Sequence, residues 1–230
     1  VIGAAVFFGG APLAIQYLGW RPVHAWVLSI AAGVGVLLAI SHVTGQHLLT
    51  DERRRWSLSR LQLLTWTVLL LPSVWTMVMV KLLGGVDDPL ALGIDDNMWA
   101  LLGISAASFV GSPVILERKR TAPGVLDIRA LGDGAGELRD LFRGEDAANA
   151  QMVDISRVQM CLFTAVVVCV YFAACWRAFA TQTAGALAFP AMSQNMVALL
   201  GISHATYLVG KVPMRGSSIV DPAVNRGPQR

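Results

Sequence analysis

Charge is what this sequence has least of. Only 14% of its 230 residues are Asp, Glu, Lys or Arg, against 55% hydrophobic, where a soluble domain carries about a quarter charged residues. That deficit excludes an ordinary solvated globule and points to insertion in a bilayer. Cysteine is scarce as well: Cys161, Cys169 and Cys175 are the only three. Their spacing matches no metal or redox motif, so they read as small buried apolar residues. A basic leader is missing from the first apolar run, and Pro12 interrupts it, which argues against a signal peptide. The chain opens on Val1 rather than Met, so a preceding portion of a larger protein is expected. Alternating strand patterns are replaced by unbroken apolar runs, which excludes a barrel and leaves helices.

Several of those runs reach the roughly 17 to 25 residues that cross a bilayer as a helix. Spans are expected at 2–19, 25–43, 61–82, 98–116, 158–179 and 196–213. The fold class is therefore all-α: a polytopic transmembrane helical bundle of about six spans. Fifteen of the 18 basic residues fall on one side of these spans, among them Arg53, Arg54, Arg55 and Arg60, then Arg118 through Arg157, then Lys211 and the tail. Only Arg21, Lys81 and Arg177 fall on the other side. Short loops rich in Lys and Arg stay in the cytoplasm, so both termini are expected there. Trp20, Trp26, Trp99 and Trp176 fall at the outer ends, where amphipathic rings favour the headgroup region.

A motif written twice organises the chain. NMWALLGISAASF at 97–109 and NMVALLGISHATY at 195–207 share nine of thirteen positions. SLSRLQ at 57–62 and DISRVQ at 154–159 precede them by nearly equal distances. Repeats at a fixed period report architecture, and here they predict two tandem parallel hairpin repeats related by an axis near the membrane normal. The expected organisation is an N-terminal helix pair (1–46), hairpin repeat 1 (47–116), a cytoplasmic linker (117–153), hairpin repeat 2 (154–213) and a tail (214–230).

Within each repeat, Ser57 or Asp154 is expected to cap the first helix. Arg60 and Arg157, with Lys211 at the chain's last span, are expected to snorkel to headgroups as anchors. The return helices carry small residues at four-residue spacing: Gly103, Ala107 and Gly111 in one, Gly201 and Ala205 in the other. These strips are the expected packing seams, because helix association in lipid relies on close backbone approach. Ser105 and Ser203 are expected to bond their own helix four residues back. Depth along antiparallel helices, at 1.5 Å per residue, places Trp66 and Thr67 against Ser108 and Phe109, and Phe163 and Thr164 against Thr206 and Tyr207.

Polar side chains inside the spans are the functional candidates. Gln62, Thr65, Ser73 and Thr76, beside Pro72, form a stripe on the third span that could line a path or form a buried seam. Gln159 repeats Gln62, and His204 stands where the first repeat has Ala106; an ionisable group at that depth is either a functional residue or a hydrogen-bonded packing element. Asp87, Asp88, Asp95 and Asp96 sit in an outer loop without calcium-site spacing and read as solvated. In the 117–153 connection, Leu138, Leu141 and Phe142 share one face of a short amphipathic helix that could lie on the membrane or dock a partner. That connection holds no phosphate loop, nucleophile elbow or zinc spacing.

On its S-R-x-Q blocks (57–62, 154–159), its L-L-G-I-S blocks and the DLFRGED segment at 140–146, the sequence resembles a group of bacterial polytopic inner-membrane proteins of unassigned function, over about 56–213. The resemblance implies a bacterial inner-membrane protein. The reading as a whole is a non-enzymatic anchor or scaffold without cofactor or metal. Its partners are the lipid bilayer and either copies of itself or a cytoplasmic protein docking on 117–153, with no role for nucleic acid. The alternative is an oligomeric ion channel or small-solute transporter with a path along the third span.

Overall fold

The computed structural model describes residues 9–10, 19, 21–51, 54–120, 137–144 and 152–211. Five α-helices lie in the described chain: α1 (Pro22–Thr44), α2 (Leu58–Leu83), α3 (Asp96–Arg120), α4 (Ile155–Thr181) and α5 (Gln194–Lys211), with one 3-10 turn at Leu138–Phe142 before α4. They cover the second to sixth expected spans and begin two or three residues earlier in each case. Hydropathy marks only the apolar stretch, whereas a helix starts at its cap among polar residues. Expectations for the first span, most of the 117–153 connection, Arg53, the side chain of Lys211 and the tail fall outside the described residues.

Three helices, α1, α2 and α4, are long and apolar enough to cross a membrane. The described fold is all-helical, with two isolated backbone bridges, Thr50 with Trp56 and Arg143 with Val153. Local chemistry sets the helix ends. α1 starts with Pro22 at its first position, where a missing N–H costs nothing, and stops at Gly45 in the left-handed region (φ 64°), whose N–H bonds the carbonyl of His42. Asp154 caps α4 by accepting from the Ser156 N–H at 3.0 Å. Ser57 precedes α2 but makes no such bond; its hydroxyl pairs with Ser59 instead, at 3.2 Å. The expected pair of caps is therefore one cap.

Hairpins α2–α3 and α4–α5 each pack on themselves and on each other, α3 against α5 and α2 against α4. α1 occupies the groove between α2 and α4. The main core gathers Trp26, Trp66, Leu69, Met77, Leu101, Val167, Tyr171, Phe179 and Leu200 from all five helices. A second cluster, Leu58, Leu141, Met160 and Tyr207, closes the end of the bundle where α2 and α4 begin.

Trp26 departs from its expected place at the membrane interface. It is fully buried, stacks on Phe179 at 5.3 Å between ring centroids and donates from Nε1 to Ser73 Oγ at 2.8 Å. Trp99 and Trp176 do remain exposed. Of the cysteines, Cys175 is buried, Cys161 half-buried and Cys169 exposed, so the thiols do not share one inward face. Residues eight and six apart turn to different sides of a 3.6-residue helix.

Candidate functional site

The polar side chains gather at three levels. At the end where α2 and α4 begin, the 3-10 turn folds back under the bundle. Asp140 Oδ2 accepts from the Glu137 N–H at 2.8 Å, and its Oδ1 lies 3.3 Å from Arg55 Nε. Arg55 also donates to the Gly144 carbonyl at 3.0 Å. Arg157 donates to the Asp140 carbonyl at 3.3 Å, lies 3.7 Å from the Asp154 carboxylate and places its guanidinium 5.6 Å from the Tyr207 ring centre. A planar fork with five donors suits such a junction of carboxylate, carbonyl and ring.

Two expectations change here. Arg157 is buried and joins three chain segments rather than reaching headgroups, because acceptors within its own chain satisfy it; Arg60 is half-buried. The DLF segment is a 3-10 turn rather than an amphipathic helix. Leu141 is inserted into the second core cluster while Leu138 points out, and Asp140 is the pivot of the network. A capping box at Glu137 and Asp140, with backbone bonds from Asp154 N–H to Phe142 O at 2.8 Å and Gly144 N–H to Met152 O at 3.2 Å, fixes the turn. Sequence reading noticed Arg55 only as one of a basic run; its spacing to Asp140, 85 residues away, left no local signal.

The middle level lies between the hairpins. Gln62 donates from Nε2 to Thr164 Oγ1 at 2.6 Å, and Ser108 Oγ shares a hydrogen bond of 2.6 Å with His204 Nδ1. Nearer the far end, Thr76 Oγ1 donates to Ser29 Oγ at 3.2 Å, while Ser73 Oγ, besides accepting from Trp26, donates to the Leu69 carbonyl at 2.5 Å. Thr65 bonds the carbonyl of Leu61 in its own helix. The buried Oγ atoms of Ser105 and Ser203 make no hydrogen bond among the described residues, so the expected bond to their own helix is not made.

The hydrogen bonds of Thr67, Ser108, Thr164 and Thr206 run within one helix or between the hairpins. Thr67 and Thr206 are exposed and bond their own helices at Leu63 and Ile202. Thr164 and Ser108 reach across to the other hairpin. Trp66 meets Tyr171 of α4 edge-on, with ring centroids 6.2 Å apart, and Phe163 packs at the edge of the main core.

The small-residue strips also turn elsewhere. α3 buries Met98, Leu101, Ser105 and Ser108, which leaves Gly103 and Ala107 on its opposite, exposed face. A Cβ at Gly103 would touch nothing within 4 Å. Gly111 does sit against Leu208, and Gly201 against Ile104, where an added Cβ would meet Cδ1 at 3.5 Å; Ala205 is exposed. Gln159 is exposed although Gln62 is buried. A two-fold axis would bury the same face of each hairpin, whereas unequal burial of matched residues fits hairpins stacked head to tail.

At the far end, the two connecting loops fasten to each other. Asp95 caps α3 through Met98 N–H (3.0 Å) and also accepts from Met192 N–H (3.1 Å). Asn97 Nδ2 donates to the Met192 carbonyl at 2.9 Å, and Lys81 Nζ donates to the Ala91 carbonyl at 2.5 Å. Asp87, Asp88 and Asp96 are exposed, so Asp95 alone of the four departs from the solvated reading. Among the described residues no group of three or more His, Cys, Asp or Glu side chains could hold a metal ion.

Comparison with known protein families, with characterised proteins and with solved structures finds no match to this chain.

Proposed function

We propose that the chain is a non-enzymatic anchor or scaffold of a bacterial inner membrane. In this reading six spans cross the bilayer, two parallel hairpin units form a rigid block, and both termini face the cytoplasm. The 117–153 connection then presents its surface to a cytoplasmic partner, or the block assembles with copies of itself. The resemblance of its paired motifs to polytopic bacterial proteins supports the compartment.

One observation carries the preference for a scaffold over a conduit: the third-span stripe is used for packing. Gln62, Ser73 and Thr76 are buried and bonded to α4 or α1, and Thr65 bonds its own helix. Interhelical hydrogen bonds of this kind act as glue in lipid, at about 0.6 kcal/mol on average. The space a path would need holds Trp26, Trp66 and Met77.

Purified protein in liposomes should release trapped ions and small solutes no faster than empty liposomes. A flux abolished by Ser73→Phe would replace this reading with the channel. Membrane-impermeant thiol labelling of an added C-terminal cysteine, accessible only from the cytoplasmic side, checks the orientation.

A further inference from the structure

The interface between the two hairpins is built from matched pieces, and each piece has a second copy on the outside. Gln62 of α2 donates to Thr164 of α4. By the register of the repeat, Gln159 corresponds to Gln62, and Thr67 corresponds to Thr164. Both Gln159 and Thr67 are exposed. In the return helices, Ile104 of α3 reaches the notch at Gly201 of α5. Ile202 and Gly103 are their counterparts; Ile202 is 65% exposed, and nothing lies within 4 Å of a Cβ at Gly103.

The pattern extends along α4. Leu58 and Leu69 of α2 are buried, at 1% and 4% exposure, while their counterparts Ile155 and Val166 stand at 73% and 56%. An apolar outward stripe alone would describe any lipid-facing helix. A polar Gln, its matching Thr and a vacant glycine notch with its matching Ile are not what acyl chains require. All of these residues divide between two open faces. The donor and knob residues, Gln159 and Ile202, lie on the second hairpin, and the acceptor and notch, Thr67 and Gly103, lie on the first.

From this arrangement we infer that a second copy of this chain docks head to tail, the first hairpin of one molecule stacking on the second hairpin of another and repeating between molecules the interface that already joins the two hairpins within one. Gln159 then bonds Thr67 of the neighbour, and Ile202 enters the neighbour's Gly103 notch. Unlike faces meet, so the assembly is heterologous and grows into a ring or a row rather than stopping at a two-fold dimer. One element does not recur: Ala106 stands where His204 stands in the second hairpin, so the Ser108–His204 bond has no intermolecular equivalent. The contact between molecules is correspondingly weaker than the contact within one, and assembly is reversible. This deepens the self-assembling branch of the scaffold reading but rests on the helix faces, not on the cytoplasmic loops.

The test is site-directed cross-linking in native membranes, in a chain with Cys161, Cys169 and Cys175 replaced by Ala. Gln159→Cys and Thr67→Cys are made separately with different tags, co-expressed and treated with a short bis-methanethiosulfonate linker. A band at twice the monomer mass carrying both tags is expected from the mixture and not from either variant alone. The double variant should give a ladder. Gln62→Cys with Thr164→Cys in one chain is the internal control and should link within the monomer. Dimer from one variant alone would mean like faces meeting, and overturns the inference. Monomer throughout, with the internal control linked, overturns it too, and leaves the anchor reading to be judged by the flux measurement.

Discussion

Ser108 on α3 and His204 on α5 share a hydrogen bond of 2.6 Å in the buried seam between the two hairpins. His204 is one of four positions at which the second long motif departs from the first, and the same place there holds Ala106. The departure follows from the stacking: His204 faces the other hairpin and is buried, whereas Ala106 faces outward. A buried polar ring needs a hydrogen-bond partner, and Ser108 supplies it.

Replacing either member should loosen the seam by an amount a double-mutant cycle can isolate. Ser108→Ala, His204→Ala and the double variant, unfolded in mixed micelles, should give a coupling of about 0.5–1.7 kcal/mol, the range of interhelical hydrogen bonds in membranes. A coupling indistinguishable from zero would mean the pair is only a contact.

Gln62 and Gln159 provide an internal contrast. Gln62→Leu should lower the unfolding midpoint of the monomer in micelles, because it removes the partner of Thr164 inside the bundle. Gln159→Leu changes an exposed residue and should leave that midpoint unmoved. Equal effects would contradict the burial that distinguishes the two motifs.

Asp140 holds the turn beneath the bundle through Arg55. Asp140→Ala leaves the buried Arg55 guanidinium with the Gly144 carbonyl but without its carboxylate, and it removes half of the capping box. Breaking a largely buried pair costs about 3–5 kcal/mol when fully desolvated, and less here because the carboxylate is 13% exposed. Hydrogen exchange over 137–144 should accelerate markedly, while α2 and α4 beyond their first turns stay protected.

Glycine placement is testable at the far end. A Cβ at Gly84 would lie 2.5 Å from Ala184 Cβ, so Gly84→Ala must push the two connecting loops apart, at a cost of about 1–3 kcal/mol for an overpacked contact. Gly35 in α1 has nothing within 4 Å. Gly35→Ala should be neutral or stabilise by about 0.5–1 kcal/mol through helix propensity. Thermal unfolding of the two variants side by side reads the difference.

The helices were legible because a run of about twenty apolar residues leaves the backbone one way to satisfy its hydrogen bonds in hydrocarbon. Their rotation was not. In water the buried face of a helix is its apolar face, so period and partner can be read together. In lipid both faces are apolar, so Gly103 and Ala107 looked like a seam and turned out to lie on the exposed side. The polar residues were found in sequence, Gln62, Ser73, Thr76 and His204 among them, but their partners Thr164, Trp26, Ser29 and Ser108 come from helices distant along the chain. The local sequence of Arg157 matches a headgroup anchor, because nothing local reveals that Asp140 and Tyr207 stand within its reach.

What the sequence determined by itself was an all-helical chain with segments fit for a bilayer and a motif used twice, since length, hydropathy and repetition are properties of the chain read in order. Tertiary structure decided which side of each helix meets another and which meets the surroundings. That choice depends on hydrogen bonds and close contacts between residues about fifty to a hundred positions apart, and no one-dimensional pattern records them.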